Sequence, residues 1–256
     1  MTRFITGVVA ILLPCMAQAQ GLERQVFAKQ DATVRLSYAS RPGVCGGSNG
    51  NINMSDGDDE RDGWTSDCEK GPVRVAITLD DGVVTQLTTR VGGRWLPRNG
   101  VTDLGMVPAP EASQLMLAIA RKGGKAAEDA ILPAMLADSV TIWPDLIKLA
   151  KNPSVSTAVR KSAVFWVGQA AANAATAGLV EVVGDAAVNQ DVREAAVFAL
   201  SQRPHDEGVP ALLATARTDK DAKIRRSAIF WLGQSEDPRA LAYFEEVLAK
   251  GSTISR

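Results

Sequence analysis

After residue 110 the apolar positions follow a helical period that is nested inside a longer one. The segments VRKSAVFWVGQ from Val159, VREAAVFALSQ from Val192 and IRRSAIFWLGQ from Ile224 match position for position. Phe165, Phe198 and Phe230 lie 33 and 32 residues apart, and Gln169, Gln202 and Gln234 keep the same steps. Leu146, Leu179 and Leu212 share the step of 33, and a degenerate copy containing AAEDAILPAMLAD starts near Gly124. Each copy reads as two helices joined by a turn. In the third copy these are 192–201 and 206–217, with Asp206 placed as a cap and Pro210 in the first turn. The first helix is apolar nearly all round, so it must be buried on more than one side, as in a stack of helical hairpins. The predicted fold is mainly α: an α-solenoid of about four hairpins, preceded by a capping helix over 111–121 and closed by a helix over 238–250.

Before Pro108 and Pro110 the pattern changes. Residues 32–40 and 73–79 read as strands, and Asp81-Gly82 reads as a hairpin turn into 83–91, where Val84, Gln86, Thr88 and Arg90 alternate. A small antiparallel β unit is predicted. Composition agrees, because 12 of the 22 glycines lie between residues 43 and 105, whereas 30 of 38 alanines lie between 111 and 250. The expected organisation is a signal peptide over 1–19, a β-rich domain over 20–107 and the helical repeat over 108–256.

The signal peptide rests on Arg3, the apolar run 4–13 and the small-x-small site Ala17-Gln18-Ala19. That run is too short for a membrane span, so a periplasmic or secreted protein without a transmembrane segment is expected. Cys15 follows a Leu-x-x-Cys pattern of lipoprotein acceptors, but Pro14 stands where such sites carry a small residue, which argues against lipidation. Export leaves Cys45 and Cys68, and an oxidising compartment predicts their disulfide. Between them runs a loop rich in Gly, Asn and acidic residues. Asp58, Glu60, Asp62, Gly63 and Glu69 partly fit a calcium-loop template, although Glu is unusual at its third position and Thr65 replaces the usual apolar residue. A solvated acidic loop is the preferred reading, and no cofactor or metal is expected.

At the repeat residues the chain resembles the short HEAT-like repeats named after phycobilisome lyases. The stretch AVFALSQRPHDEGVPALLATAR followed by SAIFWLGQSEDPRALAYFEEVL is similar to bacterial exported HEAT-repeat proteins, over roughly residues 108–250. The resemblance implies fold more than activity. It implies a protein or peptide partner, and as an alternative a periplasmic enzyme or enzyme subunit related to bilin lyases. The di-iron HEAT-type hydroxylases hold metal with His-Glu pairs, and this chain has a single His and no such pair. No P-loop, dinucleotide fingerprint or G-x-S-x-G elbow is present. A formal charge of −1 gives no net attraction to a phosphate backbone, so no nucleic-acid partner is expected.

Arg160, Arg193 and Arg225 recur at the repeat step and form the candidate partner surface, although such residues also bond acidic groups or carbonyls of the adjacent repeat. The Gln169, Gln202 and Gln234 amides are expected to cap helix ends, and Trp166 and Trp231 to pack in the core. His205, beside Pro204, is expected to be exposed and not catalytic. The function expected is a non-enzymatic, exported interaction scaffold.

Overall fold

In the computed structural model of the chain, residues 21–47, 50–54, 68–170 and 172–254 are described, with side chains described as far as residue 249. Two compact units divide between Val140 and Thr141. The proposed signal peptide lies outside the described residues. No helix among those described is long and apolar enough to cross a membrane.

The first unit opens with a helical segment, α1, over residues 21–27. Its main sheet runs β6-β5-β1-β7, where β1 is Ala32–Tyr38, β5 is Val73–Asp80, β6 is Val83–Val91 and β7 is Val101–Met106. Val73, Val75, Ile77 and Leu79 point to one face and are buried, because successive side chains of a strand alternate between faces. Asp81 and Gly82 both have positive φ, 49° and 73°, the conformation a tight two-residue hairpin requires. Two features depart from the sequence reading. The sheet is mixed, since β1 pairs in parallel with β7. Within β6, Leu79 faces Val84 and Thr78 faces Gln86, so Thr85 is an extra, bulged residue. The bulge switches the phase, and the buried positions of β6 are Val84, Leu87 and Val91.

A second, three-stranded sheet has the order β3-β2-β4, with β2 at Cys45–Gly47, β3 at Ile52–Asn53 and β4 at Cys68–Lys70. A Cys45–Cys68 disulfide joins β2 to β4 with their Cα atoms 5.3 Å apart. Gly46 is required where β2 meets β6: a Cβ there would lie 2.2 Å from the Val91 carbonyl oxygen.

The compositional break near Pro108 is not where the units divide. Helices α2 (Ala109–Lys122) and α3 (Ile131–Met135) belong with the sheet. The fully buried Tyr38 hydroxyl donates to the Pro133 carbonyl at 2.7 Å, and burial pushes its pKa well up. Arg41 N–H donates to the Leu136 carbonyl and Asp138 N–H to that of Ala39. Ser113 Oγ donates to the Ala134 carbonyl, which ties α2 to α3. The degenerate first copy of the repeat is thereby split, its first helix shortened to α3 and its second, α4, falling in the other unit.

The second unit contains α4 (Trp143–Lys151), α5 (Thr157–Gly168), α6 (Ala174–Gly184), α7 (Gln190–Ser201), α8 (His205–Thr218), α9 (Ala222–Gly233) and α10 (Pro238–Ile254). Helices α5, α7 and α9 pack side by side as one row, and α4, α6 and α8 as another. Each helix of the first row starts on a side-chain cap. Ser156, Asn189 and Asp221, spaced by the repeat, accept from the backbone N–H groups of Val159, Asp191 and Lys223. The repeat positions Leu146, Leu179 and Leu212, and Ala163, Ala196 and Ala228, are all buried. Helix α8 begins at His205, one residue before the expected Asp206 and without a side-chain cap, so Pro210 lies inside the helix.

Candidate functional site

The Arg160, Arg193 and Arg225 row does not form a free surface. Arg160 and Arg193 are buried, and their Nε atoms donate to the Ala150 and Val183 carbonyls at 2.7 and 2.6 Å. These carbonyls belong to the last turns of α4 and α6, where the helix leaves acceptors without intrahelical partners. Arg193 also binds the Asp219 carboxylate through Nη2 at 2.9 and 3.0 Å, which links the end of α6 to the turn before α9. Arg225 is half-buried, and its Nη1 donates to the Asp219 and Lys220 carbonyls at 2.8 and 3.0 Å. The row therefore holds neighbouring copies together.

A third buried cation, which the repeat does not announce, secures the turn between α5 and α6. Arg203 donates to the carbonyls of Gly168, Ala170 and Ala172, to Thr176 Oγ1 and to the Glu207 carboxylate. Its repeat equivalents are Ala170 and Ser235, so no periodic signal marks it. The Thr176 hydroxyl, followed by the Arg203 guanidinium, holds the Glu207 carboxyl below its usual range.

The exposed face of the first row is aromatic. Phe165 is 42 % and Phe230 57 % exposed, while Trp166, Phe198 and Trp231 are half-buried. Phe198 packs on Trp231 with ring centroids 4.9 Å apart, Trp231 meets Phe230 edge-on at 5.0 Å, and Trp166 meets Phe165 edge-on at 5.2 Å. The expectation that both tryptophans lie in the core is corrected: they flank a surface. Small residues set this geometry. Ala199 holds the position of Trp166 and Trp231, and a Cβ on Gly168 would come 3.1 Å from Ala199 Cβ, so α5 and α7 approach closely. The sequence did carry a signal. Lys161 and Gln169, Glu194 and Gln202, and Arg226 and Gln234 stand four residues either side of the three phenylalanines, which places each Phe on the polar face of its helix.

The three glutamines are exposed, and their side chains do not cap the helices. The carbonyls at the helix ends are met by the glutamines' own backbone N–H groups, and the Gln202 amide donates to Ser201 Oγ at 3.1 Å. They form a row of amides one helical turn from the aromatic row. A cavity of about 130 Å³ opens beside it, lined by Gln202, His205, Trp231 and Gln234 among others. His205 is exposed, and its carbonyl accepts from Arg239 Nη2 at 2.8 Å.

Of the calcium template, Asp58, Glu60 and Asp62 lie outside the described residues. The Glu69 carboxylate accepts from the Gly93 N–H at 2.8 Å. Among the described residues no group of three or more His, Cys, Asp or Glu is placed to hold a metal ion.

Residues 180–254 match the family of HEAT repeats. The match begins within α6 and extends through α10, so it covers the later copies of the repeat. No curated protein matches the chain. No solved structure matches it either.

Proposed function

We propose that the chain is an exported, non-enzymatic protein-interaction scaffold in which the hairpins from α4 onward build an α-solenoid of the HEAT type. The observation that carries this reading is the aromatic row of Phe165, Trp166, Phe198, Phe230 and Trp231 left at the surface of α5, α7 and α9. Exposed aromatic side chains lose apolar hydration when a partner covers them, and their rings bring large contact area at small entropic cost. The Gln169, Gln202 and Gln234 amides beside them offer donors and acceptors to a peptide backbone. A protein or peptide is thus the partner. The Cys45–Cys68 bridge supports an oxidising compartment.

Site-specific photo-crosslinking in the intact cell envelope tests the reading. A photoreactive phenylalanine at position 230 should give a discrete crosslinked protein, and the same group at exposed Glu236 should not. Equal yields from both positions, or none from position 230, would overturn the assignment of this face.

A further inference from the structure

The first unit contains an open cleft of about 800 Å³, lined by Arg35, Arg74, Arg90, Arg94, Trp95 and Glu69 together with a series of glycines. Four guanidinium groups and one carboxylate face a single space, although the chain as a whole is nearly neutral. Two of the cations are already engaged. Arg74 donates to the Gly92 and Gly93 carbonyls and to Ser37 Oγ, which fixes the turn after β6. Arg35 donates from Nη1 to the Leu96 carbonyl at 2.9 Å and stacks over the Trp95 ring at 4.5 Å, so its guanidinium plane is held in place. The other two, Arg90 and Arg94, are exposed, and their side chains have no hydrogen-bond or ion-pair partner among the described residues. Arg35 Nε and Trp95 Nε1 are buried donors without an acceptor. Buried polar groups are seldom left unpaired, and both of these can only donate. Glu69 shows the chemistry the cleft accepts, since its carboxylate sits against the Gly93 N–H.

We propose that this cleft binds a small polyanion bearing carboxylate or phosphate groups, with the Arg90 and Arg94 forks as its mobile clamps and the Arg35–Trp95 stack as its fixed wall. Planar guanidinium groups match oxyanions in bidentate fashion, and the free pair can engage two such groups at once.

The test is calorimetric titration of the full chain at low ionic strength with citrate and, separately, with pyrophosphate. At least one probe should bind saturably. The double substitution R90A/R94A should weaken that binding roughly tenfold or more, as loss of charge-assisted hydrogen bonds does. R226A, which removes an exposed cation from α9, should leave it unchanged. The proposal is overturned if neither probe binds the parent chain saturably, or if R90A/R94A binds as tightly as the parent, or if R226A weakens binding as much.

Discussion

The two units reach stability by different means. The helical unit uses the same device at successive copies: a small capping side chain starts the first helix, and an arginine one turn on bonds the end of the preceding helix, as in the Ser156–Arg160 and Asn189–Arg193 pairs. The sheet unit relies on contacts that occur once. Gly46 against the Val91 carbonyl, Tyr38 against Pro133 and the Cys45–Cys68 bridge have no second copy. Repetition makes a structural role visible as a row, and it also makes a structural row look like a binding surface. The arginines show this most plainly: their recurrence is real, and its cause is internal.

The largest effect that separates the two cases is expected at Arg193. Replacing it by Ala leaves the Val183 carbonyl without this donor and the buried Asp219 carboxylate without its cation, with the Asp221 N–H still donating to it, so stability should fall by about 3–5 kcal/mol in denaturant unfolding. Arg160→Ala removes a carbonyl contact only, and should cost about 1–3 kcal/mol. If the two variants were equally stable, the Asp219 link would not matter.

In the sheet unit, replacing both cysteines by Ser should cost about 3 kcal/mol in the chain-entropy view, because the bridge closes a loop across a sequence separation of 23. The same loss should follow on adding reductant to the parent protein.

Smaller again is Phe198→Ala. A ring fully buried between copies would cost about 3–5 kcal/mol on truncation. Phe198 is half-buried on Trp231, so about 1–2 kcal/mol is expected, mainly from the lost ring contact. Thermal unfolding distinguishes these figures.

The smallest expected effect concerns acid. Hydrogen bonds from the Arg239 side chain and backbone N–H hold the Asp237 carboxyl down from 3.8 to about 2. A group whose pKa is lowered by folding stabilises the fold above its unfolded pKa, and that contribution disappears as pH falls through the folded value. Stability should therefore decline between pH 4 and pH 2, and Asp237→Asn should flatten this part of the profile. An unchanged slope would show that the Arg239 contact is not maintained in solution.

How much of this was legible depends on periodicity. The helices of the second unit follow from the spacing of Leu146, Leu179 and Leu212, since one heavily buried position per copy fixes the register. In the first unit the hairpin at Asp81-Gly82 could be read, but the bulge at Thr85 could not. An inserted residue breaks the period of two without altering composition, so the sequence pattern puts Val84 and Gln86 on one face where the structure buries Val84 and exposes Gln86. The boundary after Val140 was hidden for a related reason: alanine-rich α2 and α3 look like the repeat, and it is tertiary hydrogen bonds, from the Tyr38 hydroxyl to Pro133 and between the backbones of Arg41 and Leu136 and of Asp138 and Ala39, that tie them to the sheet unit. Arg203 was invisible because it stands in one copy alone. The aromatic row could have been found by asking which residues lie one turn from each Phe, because polar neighbours at that spacing indicate an outward-facing side chain.

Under the proposed function the exposed aromatic row binds the partner, while the arginine row, with Arg160 and Arg193 buried and Arg225 half-buried, holds neighbouring copies together. Its most direct test is the affinity of the crosslinked partner, once purified, for the parent chain and for F165A/F230A. Kd should rise about tenfold or more, the loss typical of truncated aromatic anchors, while the melting temperature stays within a few degrees of the parent because both rings are 42 % or more exposed. An unchanged Kd for a folded F165A/F230A protein would contradict it.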